Sequence, residues 1–274
     1  MLKAIIHGKA GRIEHNKDDS VSWSSLFKAR EDLLTSTVFE RFYYLSDEVQ
    51  RSMLQHWFKA CFGSIPTDVG ELEDISYWPR FTHEHDKGSN QVEPDLILNF
   101  AKCNIIVEVK PPAGGDQYFN QWQKEIASFL QSEEYQGKPL YFLAIGRISV
   151  FNVQQWAAGL LKQYVELNGI AALEWAAVTE HILTLTTDKK LTKQDDRILN
   201  DILEGLSLYG LQTSPFKWLD LIQYNDFLPL SLTETYITSN LKKQIFSNSE
   251  NMNELLNHSF QPLNLQQFQS SLKA

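Results

Sequence analysis

Apolar positions along the chain follow two spacings. From Trp23 to Leu45 they recur at helical intervals: Leu26, Phe27, Leu33, Leu34, Val38, Phe42 and Leu45 share a face, with Ser22 or Ser24 placed to cap it. A second helix is predicted over Asp47–Cys61, and 63–70 reads as loop. Short runs rich in Ile, Leu and Val then take over. Tyr77–His85, Val92–Phe100 and Asn104–Lys110 read as strands, as does the brief run Leu2–Ile6 near the start. PPAGG closes the third strand, and a helix follows from Asp116 to Gln131, with Phe119, Trp122, Ile126 and Phe129 or Leu130 inward. Leu140–Ile145 and Leu173–Val178 are two more predicted strands, separated by a helix over Val153–Leu167. The order predicts an α/β fold with a mixed central sheet flanked by helices.

After Thr186 the chain turns polar (TTDKKLTKQDDR), with helices predicted over Asp195–Leu211 and Leu232–Phe246. A soft boundary near 187 divides a core, 1–186, from a mainly helical region, 187–274. That region is open to recognition, oligomerisation or packing on the core. Lys189, Lys190, Lys193 and Arg197 form a small basic patch, but interleaved acids give it the character of a solvated face.

At 274 residues the chain can bury a core without disulfides or a structural metal. Cys61 and Cys103 belong to no CxxC pair, which excludes a cysteine zinc site and reads as two reduced thiols. No apolar run is long enough to span a bilayer, and the opening MLKAIIHGKAGRIEH is too quickly polar for a secretion signal. A cytoplasmic protein with no membrane partner is expected. The net charge of −9 argues mildly against nucleic-acid binding over the whole surface. It leaves room for a local basic groove, or for a site that takes up cations.

The chemistry concentrates in EPDLILNFAKCNIIVEVK, residues 93–110. Two apolar strands flank a short turn at Ala101–Lys102. A two-residue hairpin there sets Asp95 opposite Glu108, with β-carbons about 4.5–5.5 Å apart on one face. Lys110, two residues on, shares that face, and Val109 points into the core. Paired carboxylates repel unless a cation lies between them, and hard divalent cations prefer such oxygens. A metal lowers the pKa of bound water, and a lysine alongside stabilises charge developing on a phosphate. These are the parts required for phosphodiester hydrolysis. The opposing interpretation is a hairpin with a solvated outer face. His83 and His85 in FTHEHD share one strand face but lack a clear third ligand for a metal.

The spacing PD-x(12)-EVK resembles the PD-(D/E)XK nucleases, the superfamily of many restriction endonucleases, and the likeness extends over roughly Ser22 to Val178. It implies a restriction-endonuclease-like core and Mg²⁺-dependent cleavage of DNA, with Mn²⁺ as a substitute. Asp95, Glu108 and the Val109 carbonyl would hold the metal, and Lys110 would orient the water or stabilise the transition state. Members carry an acidic residue on the first core helix. Glu31 fits best, ahead of the LL…VF face, with Glu40 second; nine residues place the two about 180° apart on a helix. Many members also carry a glutamine after the third strand, for which Gln121 is preferred over Gln117. Gly114 and Gly115 read as plain loop.

The resemblance implies a DNA endonuclease, with a homodimer for double-strand cleavage, a protein partner that could supply targeting, and a plausible place in anti-phage defence. The alternative is a non-catalytic nucleic-acid-binding or scaffold subunit with the same fold.

Overall fold

The computed structural model describes residues 2–214 except 17, 18, 29, 86, 87 and 189. The helix predicted over Leu232–Phe246 lies outside the described residues, as does Lys189.

The chain opens with α1 (Leu2–Ile6), the ribbon β1 (Arg12–Asn16) and β2 (Asp19–Ser22), and α2 (Trp23–Lys28). Then come α3 (Glu31–Tyr43), α4 (Asp47–Trp57), β3 (Phe62–Gly63), β4 (Leu72–Tyr77), β5 (Phe81–His85) and β6 (Gly88–Val92). The central hairpin is β7 (Leu96–Phe100) and β8 (Asn104–Val109), followed by α5 (Phe119–Gln131) and β9 (Leu140–Ile145). Last are α6 (Val150–Gln163), β10 (Leu167–Leu173), α7 (Trp175–Thr186) and α8 (Lys193–Ser207).

Six strands make a mixed sheet in the order β3-β10-β9-β8-β7-β4. β8, β9 and β10 run parallel, and β3, β7 and β4 pair antiparallel with their neighbours. The middle strands are buried along their whole length except at the half-buried Asn99, which is why LILNF, NIIVEV and LYFLAI are almost continuously apolar. One face, through Leu96, Leu98, Val107, Val109 and Leu143, shares a core with α3, α4, α7 and α8. The other, through Ile97, Ile106, Phe142 and Ala144, packs on α5 and α6. Among the described residues no helix is long and apolar enough to cross a membrane. Leu199, Ile202 and Leu206 of α8 belong to the first of these cores, so 193–207 packs on the sheet layer.

The hairpin register pairs Leu96 with Val107, Ile97 with Ile106, Leu98 with Ile105 and Asn99 with Asn104. Phe100 N–H donates to Cys103 C=O at 2.9 Å, leaving Ala101 and Lys102 as a two-residue turn, in keeping with the sequence expectation. Ala-Lys is a poor turn sequence. The turn is held from outside: Ala101 N–H donates to Glu71 C=O at 2.9 Å and Lys102 N–H to Val69 C=O at 3.0 Å.

Several elements differ from the sequence expectation. Leu2–Ile6 is helical rather than extended, since so short an apolar run carries no decisive period. The long predicted helix from Trp23 breaks at Arg30, which is extended (φ −116°, ψ 113°), so Glu31 begins a new helix. The predicted strand Tyr77–His85 is interrupted at Trp78, whose φ of 46° turns the chain out of the sheet just before Pro79. Val92–Phe100 is likewise split at Pro94, which cannot donate to a ladder. The strand β4 was not foreseen at all.

The largest shift concerns 167–178. Asn168-Gly169 looks like a turn, yet it lies inside β10, where a Cβ on Gly169 would sit 2.3 Å from the Ser64 carbonyl oxygen. The strand therefore ends at Leu173, and WAAV, expected to be extended, begins α7.

Candidate active site

The site forms at the end of the central hairpin. Extending the ladder by one pair sets Asp95 opposite Glu108. Asp95 lies beyond the last ladder residue, and its Oδ2 accepts a 2.7 Å hydrogen bond from the Val109 N–H. A strand residue directs its N–H and C=O to the same edge. The Val109 carbonyl therefore faces the edge occupied by Asp95, while its side chain enters the core.

Glu108 is 1% exposed, Asp95 7% and Lys110 8%. The Lys110 ammonium donates to Glu108 Oε1, and at 3.0 Å to Glu31 Oε1. Glu31 reaches the strand end from the first turn of α3, on the far side of the sheet from α5. From α5, Gln121 Nε2 donates to Glu108 Oε1 at 2.6 Å. Glu40 is exposed elsewhere on α3. Of the two glutamines, only Gln121 bonds the carboxylates. Gln117 is buried and structural: its Nε2 donates to the Gly146 C=O at 3.2 Å, and its Oε1 accepts from Trp122 Nε1 at 2.8 Å.

Sequence reasoning missed three contributors. Glu125, 1% exposed, lies one helical turn beyond Gln121 and adjoins it and Glu108, with its Oε2 buried and unpaired. The i, i+4 spacing from Gln121 was the available signal. Trp175 Nε1 donates to the Lys110 C=O at 2.8 Å. Gly146 fits against the same carbonyl, where a Cβ would lie 2.2 Å away. These two come from the ends of β9 and β10, and no local pattern marks them.

Charge is concentrated here without solvent to disperse it. Burial first, then the charge of Glu108, pushes Asp95 up to about 8, although the Val109 N–H works the other way. Burial raises Glu108 as well, opposed by Lys110. Glu125 is raised well above the ordinary carboxylate range by burial and by Glu108. Burial would lower Lys110, but Glu108 and Glu31 outweigh it and hold the ammonium charged.

One carboxylate oxygen from each of Glu31, Asp95 and Glu108 lies within 4.8 Å of the others. Opposed ligands of Mg²⁺ stand about 4.2 Å apart, twice its bond length of about 2.1 Å. The trio thus fits a small divalent cation after modest closure. The excess of acids over one lysine, with an unpaired buried carboxyl oxygen, fits a missing positive charge. Among the described residues this trio is the one group of His, Cys, Asp and Glu with suitable spacing, and His83 is not part of it. Gly114 and Gly115 precede α5 by several residues and do not form its N-terminus.

No family model matches the chain. It is 27% identical over 247 residues to an uncharacterized protein of Pasteurella multocida (strain Pm70), covering 85% of this chain and 89% of that one. No solved structure matches it.

Proposed function

We propose that the chain is a metal-dependent nuclease with a restriction-endonuclease-like core, hydrolysing phosphodiester bonds of DNA. The observation that carries this reading is the meeting of Asp95, Glu108, Glu31 and Lys110 at one strand end, in the PD-x(12)-EVK spacing. Asp95, Glu108 and the Val109 carbonyl would hold Mg²⁺, with Mn²⁺ as a substitute. Bound there, the cation would supply Lewis acidity and a water acidic enough to attack near neutral pH.

The residues divide the remaining work. Lys110 is charged and cannot take the proton from water, so its role is to stabilise charge on the phosphate as the P–O bond to the leaving oxygen breaks. Glu31 and Glu108 fix the ammonium in place. Gln121 orients Glu108. Acting as an endonuclease on both strands would require a homodimer, because one such site cuts one strand. Cytoplasmic anti-phage defence, with a partner supplying targeting, and a role of 187–274 in recognition or assembly complete the reading.

The second reading is a non-catalytic nucleic-acid-binding or scaffold subunit. The net charge of −9 favours it, as does the pairing of Lys110 with both Glu108 and Glu31.

The test is cleavage of supercoiled plasmid in Mg²⁺ or Mn²⁺ by the native chain, Asp95→Ala and Lys110→Ala. Nicking or linearisation by the native protein alone, abolished by chelation, supports the nuclease. If the native protein leaves the plasmid intact and calorimetry detects no metal uptake, the scaffold reading replaces it.

A further inference from the structure

A cavity of about 730 Å³ opens beside the catalytic strand, at the carboxyl ends of β9 and β10. Open α/β sheets hold ligands at this edge. Its walls come from the segments leading into α5, α6 and α7, and the first N–H groups of a helix carry partial positive charge. Tyr118, 59% exposed, and Trp156 supply aromatic rings, with Trp175 buried between the wall and the site. Trp156 is held edge-on against Trp122 at 5.3 Å, and Trp122 is fixed in turn by Gln117.

The acids in the wall are already committed. Glu174 accepts from the backbone N–H groups of Arg147 (3.2 Å) and Ile148 (2.6 Å). Asp116 accepts from Arg147 Nε (3.0 Å) and Nη2 (2.7 Å). Arg147 remains partly exposed and adopts φ 58°, a left-handed conformation uncommon outside glycine. Such strain is concentrated where ligands bind. Hydroxyl and amide groups on Ser149 and Asn152 complete a lining suited to a planar, hydrogen-bonding ligand.

Tyr118 precedes Gln121 by three residues, close to one helical turn of about 5.4 Å. Trp175 joins the cavity to Lys110 through the bond to its carbonyl. We propose that this cavity takes an unpaired nucleotide next to the phosphate being cut, its base against Tyr118 and Trp156, so that the substrate is single-stranded or frayed DNA. The inference rests on the nuclease reading for its substrate. A base inside an intact duplex is stacked and cannot enter without being extruded.

The experiment measures binding in EDTA, where no cleavage occurs. Fluorescence anisotropy of a labelled ten-residue oligothymidylate is compared with that of a duplex of equal length, for the native chain and for Tyr118→Ala, an exposed substitution. The native chain is expected to bind the single strand more tightly. Tyr118→Ala should weaken single-strand binding roughly 5- to 150-fold, as loss of one stacked base does, and leave duplex binding unchanged. Equal affinity for both forms, no binding of the single strand, or an indifferent Tyr118→Ala would overturn the proposal. Single-strand binding with neither the oligothymidylate nor the plasmid cut once Mg²⁺ or Mn²⁺ is added would instead remove the nuclease reading and leave the cavity's ligand standing. Plasmid cleavage with an indifferent Tyr118→Ala would do the reverse.

Discussion

Asp95 is tied to the opposite strand by its side chain: its Oδ2 accepts the Val109 N–H at 2.7 Å where the backbone ladder has ended. The carboxylate therefore closes the hairpin as well as facing Glu108. Asp95→Asn keeps an acceptor for that N–H and removes the charge. Asp95→Ala leaves the N–H buried and unpaired, which costs about 1–3 kcal/mol. Both variants should lose metal-dependent cleavage. In urea unfolding with EDTA, Asp95→Ala should be the less stable of the two by that margin. Equal stability would remove the structural role given to the bond.

The same carboxyl sets the pH dependence of the metal-free protein. Burial and Glu108 raise Asp95 to about 8, against an ordinary value of about 4 in an unfolded chain. The folded state thus holds a proton that the unfolded state has released between these values. Stability from this group is complete below about pH 4 and is lost as pH rises toward 8. Glu108 and Glu125 are shifted in the same direction and act alike. In EDTA the melting temperature should fall from pH 5.5 to 8, and Asp95→Asn should flatten that slope. A divalent cation displaces protons from its ligands, so Mg²⁺ should raise the melting temperature most at the alkaline end. A metal-free melting temperature that climbs with pH over this range would refute the assignment.

Lys110 bonds both Glu108 and Glu31. Lys110→Met leaves Glu108, almost wholly buried, without its cation. Breaking such a buried pair costs about 3–5 kcal/mol. Adding Glu108→Gln removes the stranded charge, so the double variant should recover much of the loss. A double-mutant cycle by chemical denaturation measures the coupling. Lys110→Met is also expected to lower kcat by at least about 100-fold, the scale for removing one group that stabilises transition-state charge.

The hairpin was legible in the sequence because the turn is short and side-chain direction alternates strictly, so the equal distance of Asp95 and Glu108 from Ala101–Lys102 placed both on one face. Glu31 was legible for a different reason, the resemblance, and its position depends on a break at Arg30 that helical periodicity concealed. Gly146, Trp175 and β4 were illegible because their constraints are tertiary. Gly146 is needed for closeness to the Lys110 carbonyl, a partner 36 positions away in the chain. The same holds for Gly169, whose turn-like neighbourhood masked a close crossing with Ser64 and moved an expected strand into α7.

Gln117 and Gln121 both fall within the helix predicted from Asp116, but α5 begins only at Phe119, so Gln117 precedes it and the two perform separable tasks. Gln117 bridges Gly146 C=O and Trp122 Nε1, both buried, and its removal should cost about 1–3 kcal/mol through the unpaired indole N–H. Gln121 is half-buried and bonds Glu108. Gln121→Ala should therefore weaken metal uptake, read by calorimetry, with little change in melting temperature. Gln117→Ala should lower the melting temperature by roughly 2–12 °C at the usual scaling for a domain of this size. The opposite pattern would exchange the two roles.

Gly146 offers the strictest test of how the strand end is held. Its φ of +84° disfavours any side chain, and a Cβ would lie 2.2 Å from Lys110 O and 2.8 Å from Trp175 Nε1. Gly146→Ala must therefore adopt a strained backbone, costing about 1–2 kcal/mol, and displace the carbonyl or the indole that bonds it. Trp175→Phe removes that hydrogen bond, worth about 1 kcal/mol, and keeps an aromatic ring in the core without straining the backbone, though it vacates the space of the indole's second ring. If the Trp175–Lys110 contact sets the position of the ammonium, both variants should cleave more slowly, and Gly146→Ala should be the less stable. If Gly146→Ala lowers the melting temperature while cleavage by both variants stays native, the contact supports the fold alone and the ammonium is positioned by Glu31 and Glu108.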